Sequence, residues 1–206
     1  MTMTKIVLHV LAPAGVELRT DALRRARERL EAAGFAVTLD PSVRARNQRF
    51  AGKDDKRLET LYRVADAAPS VAMACRGGYG LTRLLDEIDW ARLARSVERG
   101  TRWVGFSDMT ALQLGLLAHT GAGSWHGPMA CDDFGRTDEA GGVDEITRDV
   151  FVEAMTGVLE AVGFRTAAGF GTQVVQKNQE SYMEDSWQQV GNVLAANQRI
   201  RCAHVA

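Results

Sequence analysis

Trp103-Val104-Gly105-Phe106-Ser107-Asp108, running on into Met109, Leu112, Leu114, Leu116 and Leu117, is the stretch that decides the fold. Its first four residues read as a buried strand, and the later apolar positions suit a helix buried on most of its surface. The chain therefore turns sharply from strand to helix at Ser107. A hydroxyl held out at such a turn lies beside backbone N–H groups that the first helical turn leaves without internal partners. Those groups, and the positive helix end, can stabilise an oxyanion. This is the mechanics of a nucleophile elbow, although Met109 stands where G-x-S-x-G has its second glycine. On these residues alone a plainer reading is favoured: Ser followed by Asp at a helix start is most often an N-cap.

Working outward, apolar runs alternate with amphipathic ones. Ile6 to Leu11 reads as a strand ending in the turn Ala12-Pro13-Ala14-Gly15. Thr20 to Ala33 reads as a helix with Leu23, Ala26, Leu30 and Ala33 on its apolar face and Gly34 as its stop. Phe35 to Leu39 alternates as a second strand, Asp54 to Ala68 is helical, and Ser70 to Cys75 is an all-apolar third strand suited to the middle of a sheet. Leu81 to Leu85 begins a further helix, and Trp103 to Phe106 is the fourth strand. Alternation at this spacing predicts an α/β fold of flavodoxin-like type, a parallel sheet with helices on both faces. Ligands of such sheets bind beyond the carboxyl ends of the strands, where residues 12–15, 76–80 and 106–108 all fall.

Arg76-Gly77-Gly78-Tyr79-Gly80 follows the third strand directly. Three glycines in five residues permit positive φ and close backbone approach, as an anion nest or half of an oxyanion hole needs. A tight turn needing glycine for geometry alone is the competing reading. The loop lacks the Lys-Ser/Thr pair of a Walker phosphate loop and does not spell G-x-G-x-x-G. His126-Gly127-Pro128-Met129 offers a loop histidine that is either a catalytic or binding group or one bonded to nearby backbone. His119, within the leucine-rich helix, reads as structural.

Composition bounds the classes. The 206 residues are 46% apolar and 25% charged with net charge −1, as in an ordinary soluble domain. There is no basic footprint for nucleic acid or an anionic membrane surface, no signal-peptide pattern and no apolar run long enough to span a bilayer, so a cytoplasmic location is expected. Cys75, Cys131 and Cys202 are odd in number and show no C-x-x-C spacing, which predicts neither a disulfide framework nor a zinc site. Cys75, in the run Val71 to Cys75, reads as a buried, inert thiol.

The order of these segments resembles the LD-carboxypeptidase family, which also includes microcin C7 self-immunity proteins. The residues that carry the resemblance are Ala12-Pro13-Ala14-Gly15, then Phe50-Ala51-Gly52-Lys53-Asp54 with Arg57 and Leu58. Arg76-Gly77-Gly78-Tyr79-Gly80 follows with Arg83-Leu84-Leu85, Ile88 and Asp89. Gly105-Phe106-Ser107-Asp108 with Thr110-Ala111-Leu112, and His126-Gly127-Pro128-Met129, complete the set, so the resemblance covers residues 5 to 165. It implies a cytoplasmic serine peptidase, without cofactor or metal, that releases the terminal D-alanine of a recycled murein tetrapeptide. Related members cleave aminoacyl-nucleotide antibiotics. By motif, Ser107 is the nucleophile, the N–H groups of Asp108 and of Gly77 or Gly78 form the oxyanion hole, and the Asp108 side chain caps the helix or braces the turn. Arg76 and His126 are the substrate-facing residues.

The same resemblance marks a departure. The family's catalytic Glu and His lie in a C-terminal domain, and no match to it is recognisable here. Residues 1–165 therefore read as the family's N-terminal domain, and 166–206 as an atypical tail, a remnant or replacement of the second domain. The tail is rich in amides, with Gln173, Gln176, Gln179, Gln188, Gln189 and Gln198. Expectations of weak or absent activity, and of a homodimer covering the face where the second domain docks, follow from it. A non-catalytic fragment or ligand-binding domain is the alternative of a different class.

Overall fold

The computed structural model describes residues 5–159. At its centre is a parallel five-stranded sheet in the order β2-β1-β3-β4-β5. The strands are β1 (Val7–Leu11), β2 (Ala36–Leu39), β3 (Val71–Ala74), β4 (Arg102–Gly105) and β5 (Trp125–His126). The register pairs Leu8 with both Val37 and Val71, Met73 with Val104, and Gly105 with His126. This is the doubly wound, flavodoxin-like order. Among the described residues five α-helices accompany it: α1 (Thr20–Ala32), α2 (Asp54–Ala67), α3 (Trp90–Glu98), α4 (Met109–Thr120) and α5 (Glu145–Thr156). No helix among the described residues is long and apolar enough to cross a membrane.

Strand period two explains how both faces are covered. Leu11, Ala72, Ala74 and Trp103 project into one apolar cluster with Leu58 and Leu61 of α2, Leu93 of α3, and Leu112 and Leu116 of α4. Leu8, Val10, Met73 and Val104 alternate to the opposite face and are equally buried. Outside the first cluster, Phe151 of α5 packs its ring 5.5 Å from both Phe35 and Phe134. A sheet buried on both sides needs apolar residues at successive positions, which is why β3 carries no polar residue. Trp103 is fully buried with its polar edge satisfied: Nε1 donates to Ser96 Oγ at 2.9 Å, and that hydroxyl donates to the Leu93 carbonyl at 2.6 Å.

Two local expectations change. Leu81 does not begin a helix: Leu81–Arg83 and Leu85–Glu87 are single 3₁₀ turns, and the regular helix starts at Trp90. Gly80 enters that segment at φ 143°, and a carboxylate takes the Leu81 N–H, so the first turn is set by tertiary contacts. Helix α4 is buried on one side, not most of its surface, since Leu114 is 51% exposed while Met109, Leu112 and Leu116 are buried.

The loops at the carboxyl edge are tied together by Arg57 of α2, whose side chain is fully buried. Its Nη1 donates to the Pro13 carbonyl at 3.1 Å and to the Gly80 carbonyl at 2.9 Å, and Nη2 donates to Asp54 Oδ1 at 2.5 Å. The guanidinium carbon lies 4.8 Å from the centre of the Phe50 ring. A Cβ at Gly80 would come within 2.7 Å of Arg57 Nη1 and 2.8 Å of Phe50 Cδ1, so only glycine lets the loop close on this pair. At the end of β2, buried Asp40 accepts from Ser42 N at 2.8 Å and from Arg63 Nε and Nη2 at 2.8 and 2.9 Å, with His9 Nε2 at 3.8 Å.

Arg57→Met should strand two buried carbonyls, each worth roughly 1–3 kcal/mol. Urea unfolding should register the loss, and Arg57→Lys should recover only part of it; a change under about 1 kcal/mol would show that other contacts hold the loops. Asp40 generates a pH prediction. Burial alone would raise its pKa, but His9, Arg63 and Ser42 outweigh it and hold the carboxyl well below the usual range. The folded value thus lies under the unfolded value of about 3.9, so this stabilisation is complete above it and is lost as pH falls toward the folded value. The unfolding midpoint of Asp40→Asn should accordingly fall less steeply below about pH 4 than that of the parent chain.

Candidate active site

Ser107 adopts φ 57°, in the left-handed region that is uncommon for a residue bearing a Cβ. The approach to it requires glycine: a Cβ at Gly105 would lie 2.8 Å from Met109 Cγ and 3.1 Å from Ala74 Cβ. Beyond the turn, α4 opens with main-chain bonds from Met109 N to Phe106 O (3.1 Å), Thr110 N to Ser107 O (3.0 Å) and Ala111 N to Asp108 O (3.1 Å). The Ser107 carbonyl, not its hydroxyl, thus takes a first-turn N–H, and the N-cap reading of the side chain gives way to that of an exposed elbow.

Of the two parts the sequence allowed Asp108, the side chain takes the bracing one. It makes no cap bond to α4, and its Oδ2 accepts the Leu81 N–H at 3.0 Å. The Ser107 turn and the glycine loop are therefore joined by one carboxylate. Burial pushes the Asp108 pKa up, against the opposing effects of the Leu81 N–H and the Arg57 charge.

The glycine loop packs directly on Ser107. A Cβ at Gly77 would fall 3.0 Å from both Ser107 Cβ and Oγ, so the hydroxyl lies against a position that only glycine can occupy without displacing it. Gly15 N donates to Gly77 O at 3.2 Å, and a Cβ at Gly78 (φ 118°) would meet Gly15 Cα at 3.0 Å. The three loops predicted at the carboxyl edge thus meet through glycine contacts. Arg76 Nη1 donates to Val16 O at 3.0 Å, while its buried Nε has no hydrogen-bond partner. It lines a groove of about 460 Å³ with Val16, Leu18, Arg49, Gly78 and Tyr79. There the Arg49 guanidinium stacks 5.0 Å from the Tyr79 ring centre.

His126 lies on β5 in register with Gly105, its ring edge-on to Phe106 with centroids 6.3 Å apart. Sequence reading passed over three contributors to this region. Arg57 was noted only as a motif residue; its burial was not legible in a run of charged residues. Gln113, buried in α4, donates through Nε2 to Gly105 O at 2.9 Å and Trp125 O at 2.7 Å, and so clips the ends of β4 and β5 together. A single amide among leucines was its only signal. Cys75 is buried as expected, but its Sγ lies 3.3 Å from that of Cys131, and Glu17 offers an oxygen within 4.8 Å of both. Residues 56 positions or more apart carry no spacing signature. The neighbouring Cys75 thiol, and then burial, push the Cys131 thiol up. The expectations placed on residues 166–206 lie outside the described residues.

Residues 8–127 match the family model described as the LD-carboxypeptidase N-terminal domain. The murein tetrapeptide carboxypeptidase of Pseudomonas aeruginosa is 37% identical over 122 residues, 59% of this chain and 38% of that protein. The probable murein peptide carboxypeptidase of Bacillus subtilis is 33% identical over 111 residues, 53% of this chain and 34% of that protein. The chain therefore spans well under half the length of these curated relatives. Among solved structures, the muramoyltetrapeptide carboxypeptidase of Oxalobacter formigenes superposes with a TM-score of 0.64 at 36% identity, covering 73% of this chain and 48% of that one. The microcin C7 self-immunity protein MccF, in complex with aspartyl sulfamoyl adenosine, superposes at 0.67 and 18% identity over 80% of this chain and 49% of its own, a likeness of fold. A parallel sheet of this order, a strained serine elbow and a glycine loop seated on it, together with a family match over more than half its residues, place this chain in the LD-carboxypeptidase family.

Proposed function

We propose that this chain carries the nucleophile and oxyanion hole of a serine LD-carboxypeptidase that releases the terminal D-alanine from a murein tetrapeptide in the cytoplasm, during peptidoglycan recycling. The observation that carries the reading is the exposed Ser107 hydroxyl, held at φ 57° against Gly77. In the reaction, Ser107 Oγ attacks the carbonyl carbon of the L,D peptide bond. The carbonyl oxygen gains the negative charge and is met by the main-chain N–H of Asp108 and of Gly77 or Gly78. Donors fixed before the substrate arrives need no reorganisation as that charge develops, which is why such a hole is worth several kcal/mol of barrier.

Asp108 acts through position, its carboxylate holding Leu81 and with it the glycine loop at a set distance from the elbow. Arg76, which lines the groove beside Gly78, is the residue for a substrate carboxylate. His126, at the end of β5 beside Gly105, borders the same edge of the sheet and contacts substrate there. A serine hydroxyl needs a general base to lose its proton and an acid to protonate the departing amine. The family takes these from a Glu and a His that this sequence does not display at family spacing. Acyl transfer by this chain is accordingly slow, with the oxyanion hole and substrate binding as its remaining assets.

The test is release of D-alanine from L-Ala–D-Glu–meso-diaminopimelate–D-Ala. Turnover should lie several orders of magnitude below that of an enzyme with a complete triad, and should vanish in Ser107→Ala. Release that persists in Ser107→Ala would remove Ser107 from the role. Fast, Ser107-dependent release would show that the chain does supply a working base.

A further inference from the structure

Beneath the glycine loop, and outside the proposed catalytic groups, three donor side chains converge from distant segments. Cys75 ends the third-strand region, Cys131 lies in the turn Ala130–Phe134, and Glu17 belongs to the loop after β1. Both thiols are fully buried and the Glu17 side chain is 2% exposed. Their Sγ and carboxylate atoms all lie within 4.8 Å of one another, with the sulfurs 3.3 Å apart. We propose that Glu17, Cys75 and Cys131 form a buried site for a thiophilic divalent cation, of which zinc is the natural occupant.

Three features favour this over a chance meeting of core cysteines. The donors are held in place by the fold: Cys75 N donates to Leu11 O at 2.6 Å and Cys131 N to Cys75 O at 2.7 Å, so both cysteines are fixed by main-chain bonds. The carboxylate is oriented by a second residue, as ligating carboxylates generally are. Arg19 donates to Glu17 Oε1 through its main-chain N (2.7 Å) and Nε (2.9 Å), and to Oε2 through Nη2 (2.8 Å). The charges also close. Two thiolates and one carboxylate carry three negative charges; Arg19 supplies one positive charge and a divalent ion the other two. Asp132, which also takes a bond from Arg19, is 28% exposed and solvated.

Two sulfurs and one oxygen suit zinc or cadmium, whereas magnesium and calcium take all-oxygen shells. Zn–S bonds of about 2.3 Å in tetrahedral geometry call for sulfurs about 3.8 Å apart, so the pair opens by roughly half an ångström on binding. Binding displaces the two thiol protons to solvent, with no change of oxidation state. Because Cys75 directly precedes Arg76 and Gly77, the ion would pin the root of the loop that lies against Ser107.

The experiment uses the full chain with Cys202→Ser, reduced and stripped of metal, titrated with cadmium. The expected result is one cadmium per chain, an ultraviolet thiolate-to-cadmium charge-transfer band, displacement by zinc, and a higher Tm with bound metal by mass action. Cys75→Ser or Cys131→Ser should abolish the band, and Glu17→Gln should weaken binding roughly tenfold or more. X-ray absorption at the cadmium edge, which needs no further variant, should count two sulfur neighbours and at least one oxygen. A folded, reduced chain that shows no band, a band that survives either cysteine replacement, or an absorption edge without sulfur neighbours would overturn the assignment.

Discussion

A fully buried guanidinium holds the working edge of this molecule together. Burying a charge in a protein interior is unfavourable unless hydrogen bonds and an opposite charge replace its water. Arg57 meets that condition by bonding main-chain carbonyls of two different loops and the Asp54 carboxylate, with Phe50 against its face. Pro13 belongs to the loop after β1 and Gly80 to the loop after β3, so neighbouring strands have their carboxyl-edge loops set by one side chain from α2. Everything placed near Ser107 depends on where those loops sit. The Asp108–Leu81 bond then carries the same constraint across to the loop after β4.

How much of this was legible in the sequence varied with the kind of interaction. Strands and helices with strong periodicity were legible because burial on a regular element repeats: Leu23, Ala26 and Leu30 face inward in α1, and β3 is apolar throughout. The carboxyl-edge loops were legible because glycine is the signature of close approach, and Gly15, Gly77, Gly78 and Gly105 each have a neighbour that a Cβ would meet. Ser107 was legible as an elbow for the same reason, since Gly105 and Ser107 bracket the sharpest turn. What failed to register were long-range polar contacts. The departure at Leu81 comes from a carboxylate 27 residues away, and no local propensity encodes that. Gln113 and Arg57 act on main-chain carbonyls, which every residue has, so nothing in composition marks their partners.

The strained serine is not the only non-glycine residue at positive φ: Gln48 and Ala68 share the feature. Ala68 is the left-handed cap that ends α2, where such a conformation is ordinary. Strain alone therefore does not single out a reactive residue. Ser107 is distinguished by what surrounds the strain: an exposed hydroxyl, a helix beginning at the next residues, and a glycine loop in contact with it.

The strand order bears on how the chain comes to be folded. β1 lies inside the sheet, with β2 on one side of it and β3 on the other, so Leu8 is paired by Val37 and by Val71. A chain emerging from the ribosome can pair the first edge soon after β2 appears, but the second waits until α2 and β3 have followed. In that interval β1 presents an unsatisfied row of N–H and C=O groups to its surroundings, the condition under which parallel sheets form slowly and are open to wrong partners. Arg57 lies in α2, between the two strands in synthesis order, and its carbonyl partner at Gly80 is made only after β3. The clamp can therefore close only once the second neighbour of β1 has been synthesised, so the same residue that sets the edge of the finished sheet waits for the strand that ends the exposure of β1.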